Sequence, residues 1–193
     1  NVDKPIVRAK NSVVGVIWQA EGPDFGIYRI RSVDNGDTFG SALNISSNTT
    51  TQVTDPAIGI DGSNRIHMVA AGFTQPEGPE IFYSRSTDGG VSFASPVNLS
   101  NSTNDISADP DIVAVGANTI YVTWSENVCD GGGCEKSIFM RKSTDGGVTF
   151  AAATSPDALQ VLTSVEGIDF DIFGVNLYMI WEQAGVIQFM KGS

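Results

Sequence analysis

Apolar residues fall along the chain in short clusters separated by glycine, asparagine, aspartate and serine, and no cluster keeps helical spacing for ten residues. The clusters recur in a fixed order. First comes "KPIV" at 4–7, "DPAI" at 55–58, "DPDI" at 109–112 and "DFDI" at 169–172. A second segment carries a tryptophan or its substitute, at Trp18, Ala70, Trp124 and Trp181. A third reads "IYRIRS", "IFYSRS", "IFMRKS" and "IQFMKGS", and in the first two units a fourth closes on "NIS" at Asn44 and "NLS" at Asn98. Short β-branched and aromatic segments bounded by turn residues predict strands. Four strands per unit of about fifty residues, repeated in tandem, predict an all-β chain built as a β-propeller.

The units run about 1–52, 53–106, 107–165 and 166–193, four blades of one domain. With the strands labelled A to D in order, the A–B and C–D turns share one end, the bottom, and the B–C loops and D–A linkers share the other, the top. Ser193 falls where Ser32, Ser86 and Ser143 fall, so the last blade is expected to lack its outer strand. It would then stay three-stranded, or a neighbouring subunit would complete it. The whole would form a closed ring of four blades, or an arc paired with another copy, because an open arc leaves apolar sheet faces in water and an unpaired strand edge.

The C–D turn is the most regular feature. "SVDNGDTF" at 32–39, "STDGGVSF" at 86–93 and "STDGGVTF" at 143–150 share one pattern, and their aspartates Asp34, Asp88 and Asp145 are 54 and 57 residues apart. Gly36, Gly90 and Gly147 suit a tight turn with positive φ. The aspartates can accept hydrogen bonds from turn amides and hydroxyls, and Phe39, Phe93 and Phe150 can fill the blade. The pattern S-x-D-x-G-x-[ST]-F resembles the Asp-box, or BNR repeat, of sialidase-like propellers. That resemblance implies the propeller fold, with the box on the face away from the usual active site. Its residues Ser32, Asp34, Gly36, Phe39, Ser86, Asp88, Gly90, Phe93, Ser143, Asp145, Gly147 and Phe150 would then be structural.

Composition narrows the chemistry. Eleven basic residues against 22 acidic ones give a net charge of −11, which disfavours nucleic acid as a partner. No stretch is long and apolar enough for a membrane span. The two cysteines, Cys129 and Cys134, flank four residues of which three are glycine. A disulfide is expected there, the alternative being a metal site that lacks further soft ligands. N-x-S/T sequons at Asn44, Asn48, Asn98 and Asn101 point with the disulfide to an extracellular or cell-surface glycoprotein.

Catalytic sialidases resemble the blade design but bring three arginines, a Tyr–Glu pair, an Asp acid/base and an F/Y-R-I-P motif. Here "YRIR" at 28–31 lies on a strand C, with Arg31 in place of proline. Four of the six arginines, Arg29, Arg31, Arg85 and Arg141, also belong to strands C. The lone histidine, His67, sits within a strand B, where packing is the ordinary role of an imidazole.

The expectation is therefore a non-enzymatic surface module with a structural or adhesive role, self-associating through an open edge. Such tandem repeats also resemble surface proteins of archaea and bacteria. The alternatives are a carbohydrate-binding or degenerate sialidase-like module, and a glycosidase using top-face carboxylates such as Glu126, Glu182, Asp111 and Asp171. The B–C loops carry Glu21, Asp24, Glu77, Glu80, Glu126, Asp130, Glu135 and Glu182, which fit calcium, a cationic partner or simple solvation. Asp109, Asp111, Asp169 and Asp171 open neighbouring A strands and form a candidate Ca²⁺ site at the mouth of the channel. No other cofactor is expected.

Overall fold

The computed structural model describes residues 2–23, 25–46, 52–74, 78–102, 106–129, 134–155, 165–173, 176–183 and 185–192. Among them there is no helix; the chain is all-β, in four antiparallel sheets that follow one another in sequence. The first contains β1 (Val2–Lys10), β2 (Val13–Ala20), β3 (Gly26–Ser32) and β4 (Leu43–Asn44). The second contains β5 (Val53–Ile60), β6 (Ile66–Thr74), β7 (Gly78–Ser86) and β8 (Val97–Asn98). The third contains β9 (Ile106–Val115), β10 (Thr119–Cys129) and β11 (Cys134–Ser143), with the isolated bridge Met140–Thr154 where the first two have an outer strand. The fourth contains β12 (Val165–Phe173), β13 (Asn176–Gln183) and β14 (Val186–Gly192), whose Ile187 and Phe189 are exposed.

Burying the apolar side chains of these short strands holds the sheets face to face. One core joins the first two sheets through Ile17, Ile27, Ile58 and Met68. A second joins the next pair through Val69, Ile81, Ile112, Val122 and Trp124, and a third joins the last pair through Ile138, Ile168, Phe170 and Trp181. The box phenylalanines follow this order. Phe93 packs into the first core and Phe150 into the second, so each fills the junction with the preceding sheet. Phe39, expected to fill its blade, is instead 44% exposed, since no described sheet precedes its own.

At the bottom, Ser86 Oγ donates to Asp88 Oδ1 at 2.6 Å and accepts from Gly90 N at 2.6 Å, while Ser92 Oγ donates to Asp88 Oδ2 at 2.6 Å. The turns at Asp34 and Asp145 repeat this pattern. The hydroxyls of Ser32 and Thr38 and nearby amides hold Asp34 down to about 2. Asp88 and Asp145 are lowered further by the same kind of donor, led by Ser86 and Thr149 respectively.

Strand-C arginines then tie one sheet to the next. Arg31 donates to the carbonyls of Asp88 and Gly89, and Arg85 Nη1 donates to Gly146 O at 2.9 Å. Behind the third turn, His67 is fully buried between Asp61 (Nε2···Oδ2, 3.2 Å) and Tyr83 (Nδ1···OH, 2.7 Å). Burial lowers the pKa of His67, so it serves as a neutral link.

At the top, the N-x-S segments close strands C. Ser46 Oγ accepts from Ile27 N at 2.9 Å and donates to Asn44 Oδ1 at 3.0 Å. Ser100 Oγ accepts from Ile81 N at 2.9 Å and donates to Glu80 Oε2, with Asn98 Oδ1 3.3 Å away. The serine hydroxyl thus stands in for the next residue of the outer strand. Ser46→Ala and Ser100→Ala, each orphaning a buried amide, are expected to lower stability by about 1–2 kcal/mol in urea denaturation, whereas Ser63→Ala in an exposed A–B turn should change it by less than about 0.5 kcal/mol.

Two alignments read from the sequence need correction. Asp169 pairs with Ile180, one residue short of Trp181, as Asp111 pairs with Thr123, one residue short of Trp124. Asp169 is therefore the counterpart of Asp111, not of Asp109, although "DFDI" imitates "DPDI". In β14, Gly192 stands opposite Leu177 where Ser32 stands opposite Val14, so Gly192 rather than Ser193 takes the serine position.

Candidate functional site

The inner strands β1, β5, β9 and β12 each carry a bulge at the same place. Lys4-Pro5 face Trp18, Asp55-Pro56 face Ala70, Asp109-Pro110 face Trp124, and Gly167-Ile168 face Trp181, two residues against one. Lys4, Asp55 and Asp109 each adopt φ of 51°. A left-handed non-glycine residue stores on the order of 1–3 kcal/mol of strain, and such residues gather at functional sites. Neighbouring groups brace them: Lys4 ion-pairs with Asp55, and Lys136 Nζ lies 3.8 Å from Asp109 Oδ2.

The bulges tip the following residues inward around a cavity of roughly 480 Å³. Each sheet contributes its second bulge residue and the one after: Pro5 and Ile6, Pro56 and Ala57, Pro110 and Asp111, Ile168 and Asp169. Val7 and Arg8 complete the wall from β1. Of the four equivalent positions after the bulge, two are therefore apolar and two are carboxylates.

The two carboxylates differ in environment. Asp169 is exposed, whereas Asp111 is only 8% exposed. Asp111 Oδ1 accepts from Ile112 N at 2.8 Å, and its Oδ2 accepts from Phe170 N of the next sheet at 3.3 Å. Burial pushes Asp111 up to about 7, and the charge of Asp169 adds to this against the pull of the two amides and of Arg8. One mouth thus presents a carboxyl that keeps its proton to near neutrality beside an exposed carboxylate, the division of labour that acid–base cleavage needs.

The other sequence candidates lie apart from this pair. Asp109 turns to Lys136 and accepts from Ser125 Oγ at 3.2 Å. Asp171 takes the amide of Ile172 at 2.7 Å. Of the four acids expected to hold calcium, the structure joins only Asp111 and Asp169, and no group of three or more His, Cys, Asp or Glu among the described residues is placed to hold a metal ion. Glu126 is buried, accepting from Trp124 Nε1 at 2.8 Å and Ser107 Oγ at 3.2 Å, and Glu80 is buried under Ser100 and Ser102. Glu182 accepts from Gly185 N at 3.1 Å. Asn101 is exposed with φ of 47°, and Asn48, Asp24, Glu77 and Asp130 lie outside the described residues. Cys129 and Cys134 stand opposite each other in the β10–β11 ladder, while their side chains, and that of Glu135, lie outside the description. The inner-strand letters do not pair Asp111 with Asp169, and spacing comes within one residue of doing so: Asp111 precedes Trp124 by 13 residues and Asp169 precedes Trp181 by 12, the connection between the strands being one residue shorter in the last unit.

The sequence matches no family model and no curated protein. Solved structures share its fold. A Hadza microbial sialidase superposes with a TM-score of 0.76 at 15% identity, over 99% of this chain and 44% of that one. The Penicillium chrysogenum α-L-arabinanase gives 0.63 at 12% over 94% and 61%, and a polysaccharide lyase of the ulvan lyase type gives 0.57 at 16% over 91% and 44%. The chain thus spans less than half the length of the sialidase and of the lyase. These comparisons overturn the expectation that the chain is not an enzyme: its fold is one that glycan-cleaving enzymes carry.

Proposed function

We propose that the four sheets are successive blades of an Asp-box propeller whose inner-strand mouth cleaves glycosidic linkages outside the cell. Asp111 donates the proton to the leaving oxygen, and Asp169 is the carboxylate that activates water or attacks the sugar. The observation that carries this reading is the unequal carboxyl pair in an open cavity. The glycan chemistry named for its structural neighbours supports the substrate class, and the cysteine pair and sequons support the location.

The test is reducing-end release from arabinan, ulvan and sialylated glycans. The parent chain is expected to act on at least one. Asp111→Asn and Asp169→Asn should each lower kcat by at least about 100-fold, with Asp171→Asn close to the parent. Equal activity in all four proteins would remove the two carboxylates from the chemistry.

A further inference from the structure

Thr123 lies on β10, directly across the ladder from Asp111. It is fully buried, and its Oγ1 has no hydrogen-bond partner among the described residues. Directly opposed residues project to the same side of a sheet with Cβ atoms about 4.5–5.5 Å apart. A buried hydroxyl without a partner is unfavourable by about 1–3 kcal/mol, so its persistence here calls for a compensating state.

We propose that Thr123 is a positioning residue that donates its hydroxyl hydrogen bond to Asp111 once the carboxyl has given up its proton. The inference rests on the cleavage reading of the mouth. In the resting state Asp111 holds its proton and already has two amide partners, Ile112 and Phe170. As the proton moves to the leaving oxygen, negative charge builds on a buried group that needs a further donor. The other charges at the mouth are Arg8 from β1 and Asp169 from β12; β5 contributes Pro56 and Ala57, which carry none. A hydrogen bond to a charged acceptor is about twice as strong as a neutral one. One that forms only as the charge develops lowers the barrier without tightening substrate binding. Serine keeps the hydroxyl and valine removes it at similar shape, so the two variants separate hydrogen bonding from packing.

The experiment follows the Asp111 carboxyl by carbon-13 NMR across pH in the parent, Thr123→Val and Thr123→Ser. The valine variant should shift the midpoint upward by about one pH unit, a tenfold change in proton affinity, and serine should restore it. On a glycan that the parent cleaves, valine should lower kcat about tenfold with KM little changed. An unmoved midpoint in Thr123→Val overturns the inference, whatever the activity. If the parent cleaves nothing but the midpoint still moves, the cleavage reading fails while the Thr123–Asp111 bond stands. Should the valine variant fold poorly, the coupling between Thr123→Ala, which also removes the hydroxyl, and Asp111→Asn in denaturation at pH 9 and pH 5 decides, with coupling expected only at pH 9.

Discussion

At pH 8 the Asp111→Asn protein is expected to unfold at a higher temperature than the parent chain while losing the proposed glycan cleavage. Folded Asp111 keeps its proton up to about 7 because burial and the Asp169 charge disfavour the ion, whereas an unfolded aspartate releases it near pH 4. Between those values the folded state holds the extra proton. Stability of the parent therefore declines as pH rises from about 4 to 7 and stays low above that. Asparagine has no proton to lose, so its curve should lack this decline; the rise that the lowered pKa of His67 brings over the same interval is common to both proteins and cancels between them. Holding one proton across about three pH units, at about 1.36 kcal/mol for each, amounts to about 4 kcal/mol between pH 4 and pH 8. At about 2–4 °C per kcal/mol for a chain of this size, the variant should gain roughly 10 °C on the parent over that interval. A gain in stability joined to a loss of activity marks a residue kept for chemistry rather than for folding. Parallel melting curves for the two proteins from pH 4 to pH 8 would falsify the assignment of a buried, proton-holding carboxyl.

The architecture was legible because it is local and repeated. Alternating apolar segments, the glycines of the bottom turns and the Asp34, Asp88 and Asp145 spacing each specify a hairpin within a few residues, and repetition multiplies the signal. The site was less legible because it depends on register across the ladder. "DPDI" and "DFDI" match as letters, but the bulge in β9 is Asp109-Pro110 and the bulge in β12 is Gly167-Ile168. Proline announces the first, and nothing in the composition announces the second. Counting back from the tryptophan that opposes each bulge recovers the pairing only after the connection is allowed for, since three residues separate β9 from β10 and two separate β12 from β13. Burial was equally hidden. Asp111 and Asp169 are the same residue type at equivalent positions, and they differ because Asp111 sits in the junction with the fourth sheet, whereas Asp169 faces the open side. His67 shows the converse: its packed role was readable from its strand position, but its partners Asp61 and Tyr83 come from a turn and a neighbouring strand.

That buried chain sets up the largest structural effect, at Gly147. Its φ is 78°, and a β-carbon built there would lie 1.8 Å from the Tyr83 hydroxyl and 2.7 Å from the ring carbon that bears it. The tyrosine has little room to retreat. It is 3% exposed, its hydroxyl is bonded to His67 at 2.7 Å, and its ring meets Phe150 edge-on at 4.8 Å between centroids. Moving it would strand His67 Nδ1 in the core, a loss of about 1–3 kcal/mol. Overpacking adds about 1–3 kcal/mol more, and the left-handed backbone about 1–2 kcal/mol for any side chain. Gly147→Ala is therefore expected to lose roughly 5–6 kcal/mol in urea denaturation, the middle of those ranges taken together. Gly116 separates the causes, because it is also left-handed, at φ of 61°, but a β-carbon there meets nothing within 4 Å. Gly116→Ala should lose only the backbone share, about 1–2 kcal/mol. Tyr83→Phe removes the clashing oxygen, so the Gly147→Ala/Tyr83→Phe double variant should lose clearly less than the two single losses added together. If Gly147→Ala and Gly116→Ala unfold at the same urea concentration, the tyrosine does not fill the space behind the turn, and the Asp61–His67–Tyr83 chain is not what seats the third box against the second sheet.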